Sequence, residues 1–186
     1  MAITKAPNYL IAIAMLVLVV AGCKQLQSIA KPSTLKSTDG KFQITVPAGW
    51  QENSTLNDKA DIQAANPLKE MYVIVLSEAA SDFSEDVTLD QYTDVTLNSM
   101  KSNLGAAAAA TQPMPVSING NQGMQYELQG ETKKVKLAYV VTTVQSADHF
   151  HQIVTWTLQS KFDGNRKTLQ DVAASFGPAA TVTPTP

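Results

Sequence analysis

Apolar and polar residues alternate from Phe42, with Phe42, Ile44 and Val46 on one side of the chain. That two-residue period predicts a strand with one buried face. Pro47-Ala48-Gly49-Trp50 then turns the chain. Tyr72-Val73-Ile74-Val75-Leu76 is a continuous apolar run, which predicts a strand covered on both faces. Val116 and Ile118 lead into Asn119-Gly120, a hairpin signal because both residues accept positive φ. Met124, Tyr126 and Leu128 alternate after it. Val135, Leu137, Tyr139 and Val141 predict one strand face, and Phe150, Val154, Trp156 and Leu158 another, with a turn near Ser146-Ala147-Asp148.

The period changes twice. Leu89, Tyr92, Leu97, Met100 and Leu104 fall on one helical arc, begun by Thr88 and Gln91 at capping-box spacing and ended by Gly105. Leu169, Val172, Ala173 and Phe176 predict a second helix over 165–176, stopped by Gly177-Pro178. The five alanines after Gly105 read as a frayed helix end or a small-residue loop, stopped by Gln112-Pro113-Met114-Pro115. Trp50 and Trp156 lie in alternating patterns and read as core or rim packing. Strands dominate and hairpins join them, so the expected class is α+β: an antiparallel β-sheet with helices packed on its faces.

Before this domain lies a different kind of segment. Tyr9 to Val20 is apolar, Lys5 is the only charge ahead of it, and Val20-Ala21-Gly22-Cys23 closes it. The run is shorter than the ~20 residues of a spanning helix and suits a signal-peptide core. The ending resembles a bacterial lipobox, which implies cleavage between Gly22 and Cys23 and acylation of Cys23. More than one acyl chain makes a stable anchor, since each buried methylene contributes about 0.8 kcal/mol. With one cysteine in the chain, no disulfide is available. The expected organisation is a signal peptide over 1–22, a lipidated cysteine and flexible tether over 23–40, one domain over 41–177, and a disordered Pro/Thr tail over 178–186. Lys24 follows the cysteine where an aspartate retains Escherichia-type lipoproteins in the inner membrane, so outer-membrane sorting and a periplasm-facing domain are expected.

Charge excludes some partners. The formal net charge is −2, and Arg166 is the sole arginine, so the clustered cations of nucleic-acid and phosphate sites are missing.

Taken together, Phe42-x-Ile44-x-Val46-Pro47-x-Gly49-Trp50, the Ile118-Asn119-Gly120-x-x-Gly123-x-Gln125-Tyr126 hairpin and the closing Ser175-Phe176 resemble the PsbP-like fold. Within it, the chain is similar to DcrB-like envelope lipoproteins. The resemblance covers most of 41–176 and rests on structural motifs. It implies an α/β/α sandwich and a non-enzymatic binding or assembly module with an envelope protein partner. It carries no agreed site residues.

The residues themselves offer two metal readings. His149 and His151, the two histidines, share a strand face by the period of two. Given a third ligand, they could hold Zn²⁺ or Cu²⁺; otherwise they are polar residues opening a strand beside a turn. Metal association among PsbP relatives adds to the first reading. Between Glu70 and Met100 the chain carries Glu78, Asp82, Glu85, Asp86, Asp90 and Asp94 and no Lys or Arg. Asp82, Glu85 and Asp86 could supply oxygens to Ca²⁺, but the Asp-x-Asp-x-Asp-Gly pattern is missing, and acids at a helix start already suit its dipole.

Catalytic motifs are absent: no Gly-x-Ser-x-Gly elbow, no His-Glu-x-x-His, no Gly-rich phosphate loop. The expectation is therefore a lipid-anchored, non-enzymatic envelope protein with no cofactor beyond its lipid. The alternatives are a metal- or small-ligand-binding lipoprotein using His149 and His151, and a hydrolase whose serine meets one of those histidines only in three dimensions.

Overall fold

All but the first of the alternating segments pair into one long antiparallel sheet in the computed structural model, which describes residues 31–179. The leader, the lipobox with Cys23, residues 24–30 of the tether and residues 180–186 of the tail lie outside the described residues.

In chain order the strands are β1 (Ser33–Lys36), β2 (Phe42–Val46), β3 (Gln51–Glu52), β4 (Ile62–Asn66) and β5 (Met71–Ala79). Helix α1 (Leu89–Leu104) follows, then β6 (Ala109–Ala110), β7 (Met114–Ile118), β8 (Asn121–Thr132), β9 (Val135–Gln145) and β10 (His149–Leu158). Helix α2 (Phe162–Ala174) and β11 (Gly177–Pro178) close the domain. The large sheet runs β3-β4-β5-β10-β9-β8-β6, with β7 also on the β8 edge, and a small sheet runs β1-β2-β11. The architecture is α+β, as the patterning predicts.

Each face of the large sheet has its own cover. Val73, Val75, Val140 and Ile153 face Leu169, Val172 and Phe176 from α2 and its end, together with Ile44 and Val46 from the small sheet. On the other face, Tyr126, Leu128, Val141 and Val154 meet Leu97, Met100 and Leu104 of α1. The side-chain period of β10 makes this division: Phe150, Gln152, Val154 and Trp156 turn to the α1 side, and His149, His151, Ile153 and Thr155 to the other. Thr155 Oγ1 donates to the Leu169 carbonyl at 3.4 Å, and Thr45 N donates to Ser175 Oγ at 2.9 Å, joining α2 to both sheets.

Two turns carry left-handed residues. Asn119 (φ 49°) and Gly120 (φ 85°) join β7 to β8 as the sequence predicts. Lys133 (φ 49°) and Lys134 (φ 66°) join β8 to β9 in the same way, without turn-favouring residues.

Four expectations are corrected. The tether over 23–40 is not all spacer: Ser33–Lys36 pair with β2 from Ser33↔Val46 to Lys36↔Gln43, and buried Ser37 donates to Asp39 Oδ1 at 2.6 Å. Ordered structure therefore begins ahead of Lys41. At the other end, Pro178 pairs with Phe42, and Ala179 N donates to the Lys41 carbonyl, so the tail begins later than 178. Helix α2 starts at Phe162, three residues early and without a capping side chain. Phe162 is buried in the core, and that packing outweighs Gly164. Finally, β5 is not covered throughout on both faces. Tyr72 and Leu76 are only half-buried, because α1 packs over β8 and β9 and leaves this side open.

Candidate functional site

His149 and His151 share a face as predicted, with ring centroids 5.8 Å apart and nearly parallel planes. Phe42 of β2 stands edge-on to both rings. His151 is wholly buried, and serines bracket it: Ser146 Oγ lies 3.0 Å from Nε2 and Ser77 Oγ 3.0 Å from Nδ1. Ser146 Oγ also lies 3.2 Å from the His149 carbonyl. Each His151 ring nitrogen thus has a serine hydroxyl within hydrogen-bond distance, with donor and acceptor set by the ring's tautomer. Burial first, and then the neighbouring His149, push the His151 pKa down to about 4, and the ring is neutral.

His149 is different. Its Nδ1 lies 2.8 Å from Asp148 Oδ1, close enough for an ion pair but off a good hydrogen-bond angle. That contact holds the exposed Asp148 carboxyl below the usual range. A metal on this pair would have to displace a serine from His151. Among the described residues no group of three His, Cys, Asp or Glu is placed to hold an ion, so Asp82, Glu85 and Asp86 do not converge. Glu85 and Asp86 instead line a wide cleft of about 560 Å³ at the start of α1, together with Asp90, Val116 and Met124.

The more constructed concavity lies on the open flank of α1. A groove of about 270 Å³ runs beside the helix, lined by Phe83, Val87, Val95 and Met100 together with Glu78 and Gln152. Thr88 sets the helix there through a complete capping box with Gln91. Tyr92 stacks on Phe150 at 4.7 Å between ring centroids, and Phe83 stands edge-on to both, fixing the loop ahead of the helix. The Tyr92 hydroxyl donates to Glu78 Oε2 at 2.6 Å, and Gln152 Nε2 donates to the same oxygen at 3.3 Å. Burial, and then the Glu78 carboxylate, raise the Tyr92 phenol well above its usual range, so it stays a donor. The sequence pattern puts Tyr92 on the apolar arc of the helix and Glu78 in an acidic stretch without Lys or Arg. The link was not legible because the pair joins a helix to a strand fourteen residues earlier.

The open face continues along β5 and β10. Tyr72, Trp156 and Tyr139 stand in register on neighbouring strands. The Tyr72 and Trp156 rings stack at 5.2 Å, and all three are half-buried. Trp156 is thus a rim residue, whereas Trp50 belongs to the core.

No family model and no curated protein sequence matches the chain. Solved structures do match. The cyanobacterial PsbP (CyanoP) of Synechocystis superposes on 80% of this chain and 93% of its own, with a TM-score of 0.60 and 16% identity. The fold is PsbP-like. The Ran-binding protein Mog1p of Saccharomyces cerevisiae has a TM-score of 0.56 at 13% identity over 80% of this chain and 95% of its own. LpqN of Mycobacterium tuberculosis, a protein involved in cell envelope biogenesis, has 0.58 at 11% identity over 81% and 91%. At these identities the likeness is one of fold. In this PsbP-like domain both histidines lie between the large sheet and the small one, and the groove lies on the opposite side of the large sheet.

Proposed function

We propose that the chain is a lipid-anchored protein of the bacterial envelope, whose PsbP-like domain binds or helps assemble a protein partner without catalysing a reaction. The observation that carries the anchor is Val20-Ala21-Gly22-Cys23 at the end of an apolar run too short to span a membrane. Among the described residues no helix is long and apolar enough to cross one. Cys23 takes the lipid after cleavage behind Gly22, and Lys24 directs the protein to the outer membrane, facing the periplasm.

Three observations support a binding role over catalysis. His151 is wholly buried between the two sheets. The groove beside α1 is walled by apolar side chains. Mog1p, of the same fold, is a Ran-binding protein, and LpqN, also of that fold, is involved in envelope biogenesis.

The test is metabolic labelling with a palmitate analogue in a bacterial host. The chain is expected to incorporate label and to partition with membranes, and Cys23→Ala to do neither. Equal labelling of the variant, or an unlabelled chain that keeps its leader by mass, would overturn the anchor.

A further inference from the structure

The groove beside α1 has the shape and charge for one kind of occupant. Its volume, about 270 Å³, falls below the roughly 300–1,000 Å³ of sites for drug-sized ligands and suits one or two side chains of a longer chain. Its outer wall carries Val95, 69% exposed although it is aliphatic and lies mid-helix. Its lining includes a carboxylate held in place, since Tyr92 and Gln152 both donate to Glu78 Oε2. Glu78 is an exposed residue, and both of these donors bond to Oε2 and not to Oε1. The surrounding segment is of one sign: Asp82, Glu85, Asp86 and Asp94 accompany Glu78, and no Lys or Arg occurs between Glu70 and Met100. A largely apolar trough with an oriented anion in its lining complements a cation flanked by aliphatic side chains.

The geometry points to a docking site for a segment of a partner protein in which Lys or Arg neighbours Leu, Ile or Val. The cation meets Glu78 Oε1, and the aliphatic side chains pack on Val95, Phe83 and Met100. Half-buried Leu76 and the Tyr72–Trp156 pair extend the apolar face in the direction the segment would run, about 20 Å along β5. The site also lies on the side of the large sheet away from β1, the strand nearest Cys23 in the chain, so an anchored domain leaves it accessible. This inference rests on the proposed partner-binding role and specifies where and what that partner contacts.

Two measurements on the full chain test it. The first titrates the detergent-solubilised protein with a short labelled peptide of alternating lysine and leucine. Glu78→Gln and Val95→Ser each sit at exposed positions and are expected to weaken binding about fivefold, and Met114→Ser, on β7 at the other edge of the large sheet, to leave it unchanged. Equal binding by all variants, or tighter binding of the glutamate–leucine counterpart, overturns the site. The second places a photo-crosslinking residue at Val95 in cells and maps the adduct. A protein segment with Lys or Arg beside aliphatic residues supports the site. A phospholipid adduct, a second copy of this chain, an acidic segment or no adduct overturns it. Protein adducts from Leu68 or Met114 alone would leave the partner reading standing without the groove; none from any position would remove both.

Discussion

His151 is wholly buried, and its neighbours hold it neutral. Its folded-state pKa, about 4, lies below the ~6.5 of an unfolded histidine. Between those values the unfolded chain binds the proton and the folded one does not, so stability rises with pH there. The contribution is intact above about pH 6.5, is lost as pH falls toward 4, and is worth at most about 3 kcal/mol. Urea denaturation across that window should show the loss, and His151→Gln, though less stable overall, should show a flatter profile. The same serine contacts predict the response to metal: calorimetric titration with Zn²⁺ is expected to give no heat, since a ligand would first have to break a hydrogen bond to His151. The shared face of His149 and His151 was legible from their spacing. The burial of His151 was not, because Ser77 and Phe42, which enclose it, come from β5 and β2, far away in sequence.

Among the elements, α1 and the hairpins show where patterning suffices. The capping box and apolar arc of α1 both form as read, because a helix's cap and stripe are local. Its distance from the sheet is not local. A Cβ at Gly130 of β8 would stand 2.7 Å from Leu104 Cβ, so the helix end lies where only glycine allows it. Gly130→Ala should therefore lower stability by about 1–3 kcal/mol, read from the thermal midpoint. Asn119-Gly120 announced its hairpin, whereas Lys133-Lys134 did not, since lysine is not a residue of left-handed turns. The β8–β9 pairing holds those lysines at positive φ, which costs roughly 1–2 kcal/mol per residue. Lys134→Gly is expected to stabilise the domain by about 1 kcal/mol, offset in part by the freedom glycine adds to the unfolded chain. Strand β1 was missed for a related reason: Leu35 is its one apolar residue, and backbone pairing with β2 makes it a strand.

At the scale of the whole molecule, the α+β class and the two flanking helices followed from the order of periods, and the small sheet did not. It gathers β1, β2 and β11 from opposite ends of the domain, a juxtaposition no local pattern records. Native trypsin should accordingly spare the Lys36–Ser37 bond, which lies between a paired strand and a buried serine. Early cleavage there by mass spectrometry would contradict the docked strand. Docking β1 also sets how far a domain held at Cys23 can travel. Ser33 lies ten residues after Cys23, so under the proposed anchoring the folded domain would stay within about 35 Å of Cys23, whatever path the chain takes. Peeling β1 away to Phe42 would extend that limit to roughly 65 Å. In the proposed anchored protein the strand would thus work as a length stop, shortening the leash on which the domain searches for a partner.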